Sequence, residues 1–170
     1  PLRYGQIMLA PKVEARMLQE LKVTKSDKIL EVGSGSGYMT ALLAEKGHHV
    51  YSVEILPELK SLAEKNLKGY NIQNVTLEQG DAAQGWTKHA PYDVIALTGS
   101  TPVLPEVFKQ SLNIGGRLFA IVGEDPVMEA LTFAKAKVGK IISRSGNTIY
   151  RTNSPSTQVF DSFAYGSLIV

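Results

Sequence analysis

The chain has 170 residues, 44% of them hydrophobic and 20% charged, which suits one folded domain with a real core and argues against disorder. Its formal charge is +2, spread along the sequence, too weak and too diffuse to imply a nucleic-acid partner. It has no cysteine, which excludes disulfides, thiolate metal sites and a cysteine nucleophile and allows a reducing compartment. No apolar run approaches the roughly 20 residues of a membrane span, and Pro1-Leu2-Arg3-Tyr4-Gly5 lacks the apolar segment of a signal peptide. Because the chain opens on Pro1 instead of Met, a processed or partial chain with a missing upstream segment is expected.

The first predicted helix begins at Ala10-Pro11, with proline in the first turn, where its absent N–H costs little. Val13, Met17 and Leu21 recur every four residues and mark its apolar face. After a turn at Lys25-Ser26-Asp27, residues 28–32 form a short strand ending at a glycine loop. Residues 38–46 turn helical and close at Gly47. A second strand follows at 49–55, then a proline-started helix at 57–67, then a third strand at 74–79. Residues 92–98 form a fourth strand, nearly all apolar, as expected for a strand buried on both faces. A helix over 105–112 and a fifth strand over 117–122 complete the alternation.

Alternating strands and helices at short intervals predict an α/β, Rossmann-like, doubly wound sheet, mostly parallel, with helices on both faces. The last third is ambiguous. Residues 128–137 suit a helix on propensity, but Leu131 and Phe133 with Ile141-Ile142 flank the turn Val138-Gly139-Lys140, and an antiparallel C-terminal hairpin is favoured. Asn153-Ser154-Pro155-Ser156 reads as a loop. With no repeat, low-complexity tract or linker, residues 1–170 are expected to form a single domain.

The loop Glu31-Val32-Gly33-Ser34-Gly35-Ser36-Gly37 joins the first strand to a helix. Glycines at that turn let a ligand approach the backbone, and the helix start offers free N–H groups. The dinucleotide fingerprint Gly-x-Gly-x-x-Gly is not met, because Tyr38 stands where its third glycine would fall. Glu31 ahead of the first glycine would repel a pyrophosphate and attract a cation such as the amino end of a methionine moiety. Glu54 ends the second strand, 21 residues after Gly33, where such sheets place an acid on ribose hydroxyls. Asp81 follows the third strand and can accept from an adenine amino group. Each acid alone also reads as a solvated strand end, and the glycine loop alone as a tight turn. Together they point to a sulfonium nucleoside, S-adenosyl-L-methionine.

Several stretches resemble the protein-L-isoaspartate O-methyltransferases, a family within the S-adenosylmethionine-dependent methyltransferases. They are residues 29–38, Val50-Tyr51-Ser52-Val53-Glu54-Ile55, Asn74-Val75-Thr76, Gly80-Asp81 with Gly85-Trp86, Ala90-Pro91-Tyr92-Asp93, and Gly115-Gly116-Arg117-Leu118 with Val122-Gly123-Glu124. The likeness runs from about Gly5 to Gly123. It implies a cytoplasmic repair enzyme that methylates the α-carboxylate of L-isoaspartyl residues in damaged proteins or peptides. The methyl ester then collapses to a succinimide that reopens partly to aspartate. It implies that Glu31, Gly33, Gly35 and Gly37 line the methionine end, with Ser34 and Tyr38 as further cofactor-binding candidates. Glu54 would take the ribose, Ile55 would pack on adenine, and Asp81 with Ala82 would hold the adenine edge.

Two departures stand out. Where the family carries Thr-Ile-Ser-x-Pro, this chain has Ile7-Met8-Leu9-Ala10-Pro11, so Leu9 takes the serine position. The family's Val-Pro-Leu-Thr segment has no counterpart near Tyr150-Arg151-Thr152-Asn153. A methyltransferase of the same fold acting on another nucleophile, and a non-catalytic cofactor-binding domain, therefore remain alternatives. Thr98 and Ser100, after the fourth strand, are candidates for substrate contact, though a turn of small residues accounts for them equally well. Trp86 and Tyr38 are candidates to stack on adenine or guard the cleft, and Trp86 is equally well read as packing beneath the loop after the third strand. His48, His49 and His89 lack metal-ligand spacing, so no metal is expected.

Overall fold

The computed structural model describes residues 8–124, 127–136 and 141–151. Strands β1 (Lys28–Val32), β2 (His49–Glu54), β3 (Val75–Gln79), β4 (Tyr92–Thr101), β5 (Leu112–Glu124), β6 (Val127–Lys135) and β7 (Ile141–Arg151) form one sheet. Helices α1 (Pro11–Leu21), α2 (Tyr38–Lys46), α3 (Pro57–Gly69) and α4 (Glu106–Gln110) connect or flank them. The sheet order is β3-β2-β1-β4-β5-β6-β7. β1 pairs in parallel with β2 on one side and β4 on the other. The chain thus reverses direction across the sheet at β1, and such a switch point opens a crevice at the carboxyl ends of the strands.

Alternating side chains divide the core into two layers. Ile29, Val94, Ala96 and Phe119 face Met17 and Leu21 of α1 and Leu43 of α2. Leu30, Ile95, Leu97 and Leu118 face the other way, toward Phe108 of α4 and the segment carrying Ala82 and Ala83. Residues 94–101 of β4 are buried throughout, which explains the apolar run Val94-Ile95-Ala96-Leu97.

Arg117 on β5 pins the end of α1. Its Nε donates to the Leu21 carbonyl at 2.7 Å and its Nη2 to the Lys22 carbonyl at 2.8 Å and to Asp27 Oδ2 at 2.7 Å. The same Asp27 oxygen accepts the Thr24 N–H at 2.7 Å. Burial works to raise the Asp27 pKa, but Arg117 and the Thr24 hydrogen bonds prevail and hold it below the usual carboxylate value.

The hairpin reading holds: β6 pairs antiparallel with both β5 and β7, with Phe133 opposite Leu118 and Ser143. A helix over 128–137 is excluded. The turn at 138–140 and the loop at 153–156 lie outside the described residues. One boundary is corrected. The helix expected over 105–112 ends at Gln110, and β5 begins at Leu112 instead of residue 117. Leu112 is already paired with Tyr92 of β4, and a helix and a ladder cannot share its backbone. Among the described residues, no helix is long and apolar enough to cross a membrane.

Candidate functional site

The site lies where β1 ends at the glycine turn. Gly33, Gly35 and Gly37 have φ of 103°, 52° and 82°, the left-handed region that other residues enter only at a cost. At Gly37 there is also no room. A Cβ would sit 3.2 Å from the Ala63 Cα and 3.3 Å from its carbonyl oxygen, so α3 crosses directly over the turn. Asn66 of α3 fixes that crossing by donating from Nδ2 to the Ser36 carbonyl at 2.8 Å.

Glu31 sits beneath the turn and is fully buried. Its Oε2 accepts hydroxyl donors from Thr40 and Ser52, each at 2.5 Å. Ser52 has given its one proton to Glu31, so the Ser34 hydroxyl donates to it at 2.7 Å. The other carboxylate oxygen, Oε1, has no partner. Burial pushes the Glu31 pKa up to about 7, against the Ser52 and Thr40 hydrogen bonds, and the nearby Glu54 and Glu14 charges add to the rise. A buried carboxylate with one orphaned oxygen is costly in the absence of a donor. A cationic group above the turn would supply one.

Glu54 ends β2, also fully buried. Its Oε2 accepts the Gly35 N–H at 2.9 Å and its Oε1 the Leu56 N–H at 3.0 Å. The Ile55 and Ser34 N–H groups also approach this carboxylate. Burial raises its pKa despite those backbone donors. The Gly80 N–H donates to the Glu54 carbonyl at 3.0 Å, which brings the segment after β3 alongside. There Asp81 is exposed, with Oδ1 accepting the Ala83 N–H at 2.8 Å, and Ala82 is buried. Ile55, directly after Glu54, is half-buried.

One cleft beside the turn gathers Leu9, Glu14, Gly33, Ser34, Gly35, Tyr38 and Thr98. Tyr38 is half exposed at its mouth. A second groove, continuous through Tyr38 and Met8, includes Gly37. Glu31, Glu54, Ile55, Asp81 and Ala82 do not line the cleft itself. The Thr98 hydroxyl reaches the Val32 carbonyl at 2.9 Å and the Gly33 carbonyl at 2.8 Å. It can do so because β4 leaves the β5 ladder there: Ala96 pairs with Phe119 and Ser100 with Ile121. Four residue steps on β4 match two on β5, a bulge that turns Thr98 toward β1.

Sequence reasoning passed over Glu14, Ser52, Thr40 and Asn66. Glu14 beside the apolar stripe of α1 and Ser52 within an apolar strand are visible in the sequence, but neither pattern by itself marks a site. Trp86 does not guard the cleft. Its Nε1 donates to Glu78 Oε2 at 2.6 Å, and its ring packs on Gly80. Glu78 also accepts from Lys88 and His89. Burial works to raise its pKa, yet the Lys88, His89 and Trp86 hydrogen bonds hold it down to about 2. His49 bonds Thr76 at 2.8 Å, and no metal-binding cluster occurs among the described residues.

A sequence model described as protein-L-isoaspartate(D-aspartate) O-methyltransferase (PCMT) matches residues 1–153. A protein-L-isoaspartate O-methyltransferase of Synechococcus sp. is 42% identical over 126 residues, covering 74% of this chain and 52% of the relative. One from Gloeobacter violaceus is 40% identical over 135 residues, covering 78% and 66%. The chain therefore spans between half and two thirds of the length of these relatives. Among solved structures, a protein-L-isoaspartate O-methyltransferase superposes with a TM-score of 0.70 at 26% identity, over 85% of this chain and 47% of the other. A Plasmodium falciparum protein solved with S-adenosyl-L-homocysteine superposes with a TM-score of 0.75 at 24% identity, over 86% and 74%; at that identity the likeness speaks for the fold. The chain belongs to the protein-L-isoaspartate(D-aspartate) O-methyltransferase family.

Proposed function

We propose that this chain binds S-adenosyl-L-methionine and directs its methyl group onto the α-carboxylate of L-isoaspartyl residues in protein or peptide substrates. The observation that carries the cofactor reading is Glu31. Its unpartnered, buried Oε1 beneath a positive-φ glycine turn fits the ammonium of the methionine moiety. Family membership supports the acceptor.

On this reading Gly33, Ser34, Gly35 and Gly37 bring backbone against the methionine end, with Tyr38 at the cleft mouth. Glu54 accepts from the ribose hydroxyls, Ile55 packs on the adenine face, and Asp81 with Ala82 meets its edge. When bound, the cofactor supplies an electrophilic methyl on a sulfonium. The acceptor carboxylate is already nucleophilic, so the chain need not provide a general base. Its contribution is alignment and the exclusion of water from the charges. Thr98 fixes the carbonyls of Val32 and Gly33, and so holds the turn in place as the acceptor approaches.

The test is transfer of radiolabelled methyl from S-adenosylmethionine to an isoaspartyl peptide. Turnover on that peptide, and none on its aspartyl isomer, is expected. No turnover despite cofactor binding would overturn the acceptor assignment.

Leu9 favours a second reading. It lines the cleft beside Thr98, at the position where the family places a serine. An apolar side chain there cannot donate to an acceptor carboxylate, which suits a methyltransferase with a different acceptor. Leu9→Ser distinguishes the two. A gain on isoaspartyl peptide of tenfold or more favours the drifted isoaspartyl enzyme, and an unchanged zero favours another nucleophile.

A further inference from the structure

Among the described residues, two buried side-chain oxygens lack a hydrogen-bond partner: Glu31 Oε1 and Glu14 Oε2. They come from different elements, β1 and α1: Glu14 lines the cleft, and Glu31 lies buried behind the turn that forms its wall. Glu14 is 5% exposed. It lines the cleft with Gly33, Ser34 and Gly35, and its charge is felt at Glu31. Nothing in the packing calls for an acid there. Its neighbours on the buried face of α1 are Val13, Met17 and Leu21, and no described basic side chain approaches it closely enough to form an ion pair. Burial accordingly raises its pKa. An uncompensated buried carboxylate is among the more costly features a fold can carry, and one that opens onto a ligand cleft is relieved by a cation.

We propose that Glu14 is a positioning residue for the methyl donor, completing with Glu31 a two-carboxylate seat for the α-ammonium of its amino-acid end. This rests on the reading of the glycine turn as a sulfonium-nucleoside site, and goes beyond it by assigning α1 to the donor. An ammonium has three donors. One carboxylate beneath the turn and one beside it satisfy two of them from different directions, which fixes the rotation of the methionine chain and hence the direction in which the methyl points. The assignment also removes a conflict. A free Glu14 carboxylate in the cleft would repel an acceptor carboxylate; one committed to the ammonium does not.

The experiment is a two-by-two binding cycle by calorimetry on the full chain. Wild type and Glu14→Gln are each titrated with S-adenosyl-L-homocysteine and with its deamino analogue, in which hydrogen replaces the amino group. Wild type is expected to bind the parent ligand at least tenfold tighter than the analogue. In Glu14→Gln the parent is expected to weaken by about tenfold and the analogue by less than twofold, so that most of the discrimination disappears. Equal weakening of both ligands would mean a structural role and overturn the proposal. Unchanged discrimination would overturn it too, and would place Glu14 on the acceptor side. Should Glu14→Gln not fold, Glu14→Asp replaces it in the same cycle, with partial loss of discrimination expected and full retention overturning the assignment. No binding of either ligand to wild type would instead sink the cofactor reading itself, so the two failures are distinguishable. No arm depends on turnover.

Discussion

Ser52 Oγ donates to Glu31 Oε2 at 2.5 Å while accepting the Ser34 hydroxyl at 2.7 Å. This chain of hydroxyls couples the second residue of the glycine turn to the carboxylate beneath it, through a residue of the neighbouring strand. Ser52→Ala removes one of the two donors to Glu31 and strands the Ser34 hydroxyl. A loss of about 1–2 kcal/mol in unfolding free energy is expected, together with several-fold weaker binding of S-adenosylhomocysteine. Urea unfolding and calorimetry check both. Unchanged values in both would show that the chain of hydroxyls is incidental.

Glu31 gives the ligand-free protein a distinctive pH response. Folded, its carboxyl keeps its proton up to about pH 7; unfolded, it ionises near the ordinary value of 4.5. Between those values the folded state binds more protons, so its contribution to stability falls as pH rises. Glu54 and Glu14, also raised by burial, act in the same direction. Asp27 and Glu78 are lowered, so their contributions are present above the ordinary carboxylate range and lost on acidification. His49, lowered by burial, opposes stability below its ordinary value. The difference between Glu31→Gln and wild type isolates the single group. Glu31→Gln is expected to gain on wild type in unfolding free energy by about 2 kcal/mol from pH 5 to pH 8, while binding S-adenosylhomocysteine far more weakly. Thermal and urea unfolding at both pH values measure it. A variant whose relative stability falls with pH would refute the assignment.

Gly37→Ala meets two penalties at once, a φ of 82° and a Cβ placed 3.2 Å from the Ala63 backbone. Destabilisation of about 2 kcal/mol or more is expected, along with loss of cofactor binding as α3 is displaced from the turn. Gly69→Ala serves as the control. A Cβ there meets nothing within 4 Å, and cofactor affinity should not change.

Arg117→Ala separates scaffold from site. It leaves the Leu21 and Lys22 carbonyls without the guanidinium, and the largely buried Asp27 without its cation and with only Thr24 as donor. A loss of about 2–3 kcal/mol in unfolding free energy is expected. Binding of S-adenosylhomocysteine to the folded fraction should stay within twofold, because α1 is held at its far end from Glu14. A selective loss of affinity without loss of stability would contradict this division.

Much of the fold was legible because period and punctuation agreed. Proline starts at Pro11 and Pro57, the glycine stop near Gly47, and the apolar run 94–97 of β4 each carry a local cause that tertiary contacts do not override. The boundary at Leu112 was not legible, because helix propensity over 105–112 is decided by the pairing of Leu112 with Tyr92 across the sheet. In the site, residues announced by glycine spacing and by acids at strand ends could be named in advance. Ser52, Thr40 and Asn66 could not, since a hydroxyl or amide in a strand or helix reads as ordinary until its partner 9 to 30 residues away is placed beside it. Glu14 was hidden for the opposite reason: on a helical wheel it looks like the polar margin of an apolar stripe, and only packing turns that margin inward.

The switch of direction at β1 divides labour along the chain. Glu31, the glycine turn, Glu54 and Asp81 come from one continuous run from β1 to the segment just after β3, whereas Leu9 and Thr98 come from segments on either side of it. On the proposed reading, changes at Leu9 and in the β4 bulge would retarget the acceptor while the glycine turn, Glu54 and Asp81 stay as they are. Such an architecture would let an acceptor be exchanged without rebuilding the hold on the donor, with Leu9 as the position to vary first.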